Sequence, residues 1–359
     1  MAGKTLERQT ELPVFDGHND CLYRLPDEDA GTAFFDELPD RHLDYPRVTE
    51  GEFGGGLFAF FIEPSPETPP RAERRRETVD GFRLEPPPSP DIEYAQSVTE
   101  RLFGRLNDVL SVGGGRITLV ESSHELQQVF HSDTLACLLH FEGAAAIEPD
   151  CSNLDSYYDR GLRSLGLVWS RSNQFGHGVP FEFPGHPDTG PGLTDAGKRL
   201  VEACNERGIM IDLAHLNEAG FWDVTERSTD PLVVSHTGVH DICPSSRTLT
   251  DEQLEAVAET DGLVGITFAA SALRQDGQFE PETPLSTLLD HIEYVADTVG
   301  VDHVGLGSDF DGAEIINGVG DVSGLPRIFD GLAARGFSES EQRAIAHENW
   351  MRVIEQTIR

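Results

Sequence analysis

The stretch TDAGKRLVEACNERGIMIDLAH, residues 194–215, sets the pattern for the whole chain. Thr194 is a good N-cap, and Asp195–Arg207 carries apolar residues at helical spacing. Ile209–Leu213 follows at once. It is a continuous apolar run too short for another helix, so it reads as a strand buried on both faces. Two residues past it stands His215, a metal-competent side chain at a strand's C-terminal end.

Outward from this unit the same alternation recurs. Further strands are expected at Val14–His18, Leu57–Ile62, Leu135–Phe141, Leu165–Val168, Leu232–Ser235, Leu263–Phe268 and His303–Ser308. Amphipathic segments Tyr94–Leu110, Asp251–Glu259, Leu285–Val299 and Gly324–Arg335 lie between them. Ser338 with Glu341 forms a capping box for a last helix. Eight short apolar strands alternating with helices predict an α/β fold, most economically a single (β/α)8 TIM-like barrel of metal-dependent hydrolase type over residues 1–359. A doubly wound open sheet is the runner-up, because periodicity alone does not show closure. The rhythm breaks at about 63–91, where eight prolines surround Arg74-Arg75-Arg76. That insertion follows the second strand, so in a barrel it hangs over the catalytic end, as an exposed loop or as a lid or dimer contact.

Composition narrows the function. There are 63 acidic residues against 27 basic, a net charge of −36, and only Lys4 and Lys198 are lysines. Such a field repels nucleic acid and anionic membrane, so neither is expected as a partner. Regular apolar strands argue against disorder, which leaves an acidic, lysine-poor surface suited to high salt, where charge repulsion is screened. A melting temperature that rises with KCl is the expected result; full stability in dilute buffer contradicts it. No run of 18 apolar residues occurs, and Met1–Glu11 lacks a signal peptide's apolar stretch, so a soluble cytoplasmic protein is expected. Five cysteines without CxxC spacing read as reduced, mostly packed thiols.

The chemistry sits at the strand ends. Alternation puts Asp16, His18 and Asp20 on one face of the first strand. The third closes on His140-Phe141-Glu142, the fifth on Asp212-Leu213-Ala214-His215, the sixth on Ser235-His236, and the eighth on Ser308-Asp309-Phe310-Asp311. Barrel strand ends converge on one face, and buried charges there need a partner that a metal pair supplies. Three imidazoles and two carboxylates suit zinc.

DGHND at 16–20, FEG at 141–143, IDLAH at 211–215, SHTG at 235–238 with Arg247 eleven residues past His236, and GSDFDG at 307–312 resemble the membrane (renal) dipeptidase family of zinc peptidases. Order and spacing agree from about residue 12 to the C-terminus. The resemblance implies a binuclear zinc centre in a TIM-like barrel, dipeptide hydrolysis, often with a D-residue at the C-terminal position, and a possible homodimer. It assigns His18 and Asp20 to one zinc, His215 and His236 to the other, and Glu142 as bridge. Two cations acidify a bridging water to supply hydroxide near neutral pH and polarise the scissile carbonyl. Asp309 is implied as acid/base group and Arg247 as the fork that binds the terminal carboxylate. Manganese or cobalt also suits such a site.

One position departs. Where better-known members of the family have a substrate-contacting histidine after the fourth strand, this chain has Trp169, which donates one hydrogen bond but neither accepts nor titrates. His177, eight residues on, is a candidate substitute. A related amidohydrolase acting on an N-acyl amino acid, cyclic amide or lactone stays open. His140 and Asp16 are expected as core or supporting groups. Asp311 and Gly312 are expected to shape a turn. His42, His124, His131, His186, His240, His291, His303 and His347 are expected at the surface, and Arg74–Arg76 as a solvated run.

Overall fold

The computed structural model describes residues 12–358, so the reading of Met1–Glu11 lies outside the described residues. Eight parallel strands form the centre: β1 (Val14–Asn19), β2 (Phe53–Phe61), β3 (Leu135–Glu142), β4 (Leu162–Gly166), β5 (Met210–Asp212), β6 (Val233–Thr237), β7 (Leu263–Ile266) and β8 (Val304–Leu306). Each pairs with the next in order, and β8 pairs with β1 through Asp16 and Leu306. The sheet therefore closes into a barrel, and the open-sheet alternative is excluded. A ninth strand, Ile117–Leu119, adds to β3 from outside.

The helices form where the apolar periodicity places them. Asp195–Arg207, Asp251–Glu259 and Leu285–Val299 have the expected bounds, and Ser338–Glu341 makes its capping box. Barrel closure needs a filled interior. Phe15, Leu57, Leu138, Met210, Val233 and Leu263, drawn from six strands, form one buried cluster with Trp350 of the C-terminal helix. The Trp350 indole lies against the backbone of β1 and β8 and donates to the Leu306 carbonyl at 3.0 Å. A Cβ on Gly17 would sit 2.3 Å from that ring and one on Gly305 2.8 Å, so both strands need glycine there.

Two histidines correct the surface reading. His291 and His347 are buried. His347 Nδ1 lies 2.8 Å from the Pro13 carbonyl. His291 Nε2 donates to the Leu273 carbonyl and its Nδ1 accepts the Val239 N–H, both at 2.9 Å, anchoring the loop after β6. A neutral imidazole offers one donor and one acceptor, so it links two backbone groups that an apolar residue would strand.

Burial holds His291 down to about 4, and protonating Nδ1 would also break its bond to Val239. The unfolded chain takes up that proton near pH 6.5 and the folded chain only near 4. Stability is thus fully present above 6.5 and falls as pH drops through this window, by about 3 kcal/mol for this group. Unfolding in urea at pH 7.5 and 4.5, on metal-free protein, should show a smaller loss for His291→Gln than for the parent. Equal losses contradict the assignment.

The proline-rich insertion is built, not loose. Arg75–Glu77 and Phe82–Leu84 pair antiparallel, and Phe82–Leu84 pairs again with Phe181–Phe183 after β4. This small sheet stands over the C-terminal end of the barrel. Of the run expected to be solvated, Arg76 is exposed, but Arg74 and Arg75 are half-buried: Arg75 lies 4.2 Å over the Phe82 ring.

Candidate active site

At the C-terminal end of the barrel the strand termini bring His18, Asp20, Glu142, His215 and His236 together. Glu142 Oε1 lies 3.0 Å from His215 Nε2 and 3.8 Å from both His18 Nε2 and His236 Nε2. His18 Nε2 is 3.3 Å from Asp20 Oδ2, and the Nε2 atoms of His215 and His236 are 2.9 Å apart. All five side chains are buried. Backbone geometry is spent to achieve this: His215, Asp309 and Asp311 all have φ above 60°, an uncommon conformation for residues other than glycine and one concentrated at functional sites.

A surrounding shell aims the imidazoles. Asp212 accepts from the Ser235 N–H at 2.8 Å and the Ser235 hydroxyl at 2.6 Å. With its proton thus committed, Ser235 Oγ accepts from His236 Nδ1 at 2.8 Å, which leaves the His236 Nε2 lone pair facing the centre. Ser170 Oγ meets His215 Nδ1 at 2.6 Å. Across the barrel, Asp16 accepts from Ser308 N–H and Oγ at 2.7 and 2.8 Å, fixing β8 to β1. His140 bonds Ser164 at 2.9 Å and lies 3.5 Å from Asp212, a supporting place behind the site. Ser235 adjoins His236 in sequence whereas Ser170 stands 45 residues before His215, and nothing local marks either as the group that orients a ring.

The electrostatics fit cations. Burial pushes Glu142 well above the usual carboxylate range, with Asp20 adding, and it pushes His215 and His236 well below theirs, with Arg247 and His18 adding. Burial opposes charge on His18 too, yet Glu142, Asp20 and Asp309 together lift it to about 10. With His215 and His236 held neutral, the cluster of Asp20, Glu142 and Asp309 has His18 and Arg247 as cationic neighbours. His18 Nδ1 and Asp20 Oδ1 are buried without a hydrogen-bond partner among the described residues. Ligand atoms of His18, Glu142 and His236 lie within 4.8 Å of one another, as do those of His18, Asp20 and Asp309; the two groups overlap at His18, so donors for cations are gathered around that ring. Nitrogen and oxygen donors in this mix suit zinc.

A cavity of about 190 Å³ opens on these groups. Asp309 and Arg247 line it. Asp309 is half-buried, donates its N–H to the His18 carbonyl at 3.0 Å, and is raised to about 7 by burial, against the pull of His18. Arg247 Nη2 lies 3.3 Å from His215 Nε2 and 3.4 Å from the His236 carbonyl. A Cβ on Gly312 would come 2.1 Å from Asp20 Oδ2 and 2.3 Å from Asp309 Oδ1. Glycine there lets the turn after β8 lie against both carboxylates. Asp311 braces the same turn by accepting the His42 N–H at 2.8 Å.

Trp169 forms part of the wall, 5.7 Å from the His215 ring and packed on Phe61 and Phe181 at 5.1 and 5.8 Å. His177 is not among the lining residues. Its Nδ1 meets Ser172 Oγ at 3.0 Å, and its carbonyl accepts from Asn217. Arg71, Arg74, Phe82 and Leu84 of the insertion complete the roof with Phe279. Their position comes from pairing with Phe181–Phe183, about a hundred residues on, which no local pattern encodes.

The chain matches the model of the membrane dipeptidase family, peptidase family M19, over residues 4–359. A crystal structure of a metallopeptidase of this family, dipeptidase AC, is 43% identical, covers 97% of this chain and 99% of its own, and superposes with a TM-score of 0.92. A Rhodobacter sphaeroides metallopeptidase liganded with a phosphinate mimic of the dipeptide L-Ala-D-Ala is also 43% identical, with 96% and 99% covered and a TM-score of 0.90. An uncharacterised Klebsiella pneumoniae protein in the pqqA 5′ region is 41% identical over 69% of this chain and 92% of its own. No helix among the described residues is long and apolar enough to cross a membrane. The chain belongs to the membrane dipeptidase family, peptidase family M19, and is a metal-dependent dipeptidase.

Proposed function

We propose that the enzyme cleaves the amide bond of dipeptides, including those with a D-residue at the C-terminal position, with two zinc ions held per chain. The observation that carries this reading is the convergence of three imidazole Nε2 atoms on one oxygen of Glu142. His18 and Asp20 would hold one ion, His215 and His236 the other, with Glu142 shared. The D-residue preference is supported by the L-Ala-D-Ala mimic bound by the R. sphaeroides protein. Bound cations would acidify a water to make the nucleophile and polarise the scissile carbonyl.

The protein groups do the rest. Arg247 orients the substrate by its terminal carboxylate through a forked, charge-assisted contact. Asp309 accepts a proton at its carboxylate and delivers it to the leaving amine. Trp169, Phe61 and Phe181 wall the cavity and limit water. Because Trp169 faces His215 and cannot accept a hydrogen bond, N-acyl amino acids are the second reading. Hydrolysis of L,L and L,D dipeptides beside N-acyl amino acids tests the two. Turnover of the L,D dipeptides is expected; silence on every dipeptide overturns the proposal.

A further inference from the structure

We infer that the enzyme selects dipeptides bearing an acidic side chain, and that Arg74 in the roof of the cavity is the residue that selects them. This rests on the dipeptidase reading above. Three arginines line the cavity: Arg71, Arg74 and Arg247. Arg71 is committed to Glu314 at 2.9 Å, and the neighbouring wall residue Glu182 is held by Arg83 at 2.7 Å. Arg247 is assigned to the terminal carboxylate. Arg74 is left over.

Among the described residues no carboxylate pairs with Arg74. Its Nε donates to the Pro69 carbonyl at 3.1 Å and its Nη1 to the Glu85 carbonyl, while the Glu85 N–H returns to the Arg74 carbonyl at 3.1 Å. Both acceptors are neutral, so they fix the direction of the guanidinium without cancelling its charge. Its Nη2 has no hydrogen-bond partner among the described residues. Partial burial, with Arg71 nearby, holds its pKa below the ordinary arginine value, as expected of a cation short of counter-charge.

In a chain with 63 acidic residues and 27 basic ones, local acid to neutralise an arginine is abundant. A cavity-lining arginine without it, clamped in one orientation, is arranged to receive an anion from outside. The overall field favours cations, so choosing an acidic substrate requires such a local positive group. The clamp also removes the rotamer entropy that a free arginine loses on binding, and the fork suits a carboxylate.

The test is the ratio of kcat/KM within two matched pairs, Ala-Glu against Ala-Gln and Glu-Ala against Gln-Ala, each with L- and D-C-terminal residues. Hydrogen bonds to charged groups predict that the parent enzyme prefers the acidic member of one pair by about 10- to 100-fold. In Arg74→Gln the ratio should fall to about one, and Arg74→Lys should retain an intermediate value. A ratio taken on one preparation does not depend on how much of it is folded. A parent ratio near one in both pairs overturns the inference. So does an Arg74→Gln ratio equal to the parent's, which is what a purely structural clamp produces. If no dipeptide is cleaved, Ala-Ala included, the dipeptidase reading itself falls and this inference with it. Hydrolysis of Ala-Ala without acid preference removes this inference alone.

Discussion

Asp309→Asn is expected to lower kcat by about 10²- to 10⁴-fold, the range general acid–base groups contribute, while leaving the metal content unchanged. Asn has nearly the same shape and tolerates the left-handed backbone that Asp309 adopts at φ 62°. The fold around it is held by backbone bonds, Asp309 N–H to the His18 carbonyl and Gly312 and Ala313 N–H to the Asp309 carbonyl. None of these needs the carboxylate. What the amide loses is the capacity to take up a proton at a point within 4.8 Å of the His18 and Asp20 ligand atoms. Single-turnover and steady-state rates, beside elemental analysis of the same sample, check the result. A variant that keeps kcat within tenfold, or that sheds its metal, contradicts the role.

The second large effect is on binding. Arg247→Met should lower kcat/KM for dipeptides by about 10²-fold or more, since truncating one partner of a buried charge pair costs about 2–5 kcal/mol. Arg247 reaches the cavity from the loop after β6, with its guanidinium beside His215 and the His236 carbonyl. The substrate carboxylate is the same in ground and transition states, so the loss should appear mainly in KM. A dipeptide amide, which lacks that carboxylate, should be nearly indifferent to the substitution. Equal losses on the acid and the amide contradict the assignment.

Much of this architecture is legible in the sequence because the signals are local. Asp195–Arg207 shows its cap at Thr194, its apolar stripe and its stop at Gly208 within one short segment, and its bounds agree with the structure. All eight strands overlap the expected apolar runs, even where β5 and β8 shrink to three residues. But β2 starts four residues early at Phe53 and β4 three early at Leu162, where glycines and Arg163-Ser164 hide the strand from an apolar-run reading. Closure of the sheet is different, because it depends on β8 meeting β1 across nearly the whole chain. The barrel's inner plug, Trp350, lies on an amphipathic helix and shows no sign of being threaded between strands.

The site divides the same way. Histidines and carboxylates at strand ends advertise themselves, and the structure brings five of them together. The groups that aim them do not: Ser235 and Ser170 are ordinary small residues until their distances to His236 and His215 are known. His291 reads as a helix-surface residue because its two backbone partners, Val239 and Leu273, are distant in sequence. Arg74 reads as one of a solvated run because the sheet that seats it over the cavity pairs segments a hundred residues apart.

The central claim is a pair of cations at five named side chains. Metal quantification on protein purified without added metal tests it most directly. Two ions per chain, predominantly zinc, are predicted, with loss of both metal and dipeptide hydrolysis on chelation and return of both on adding zinc back. Protein that is fully active at far fewer than one ion per chain, or that keeps full activity after the metal is removed, contradicts the account.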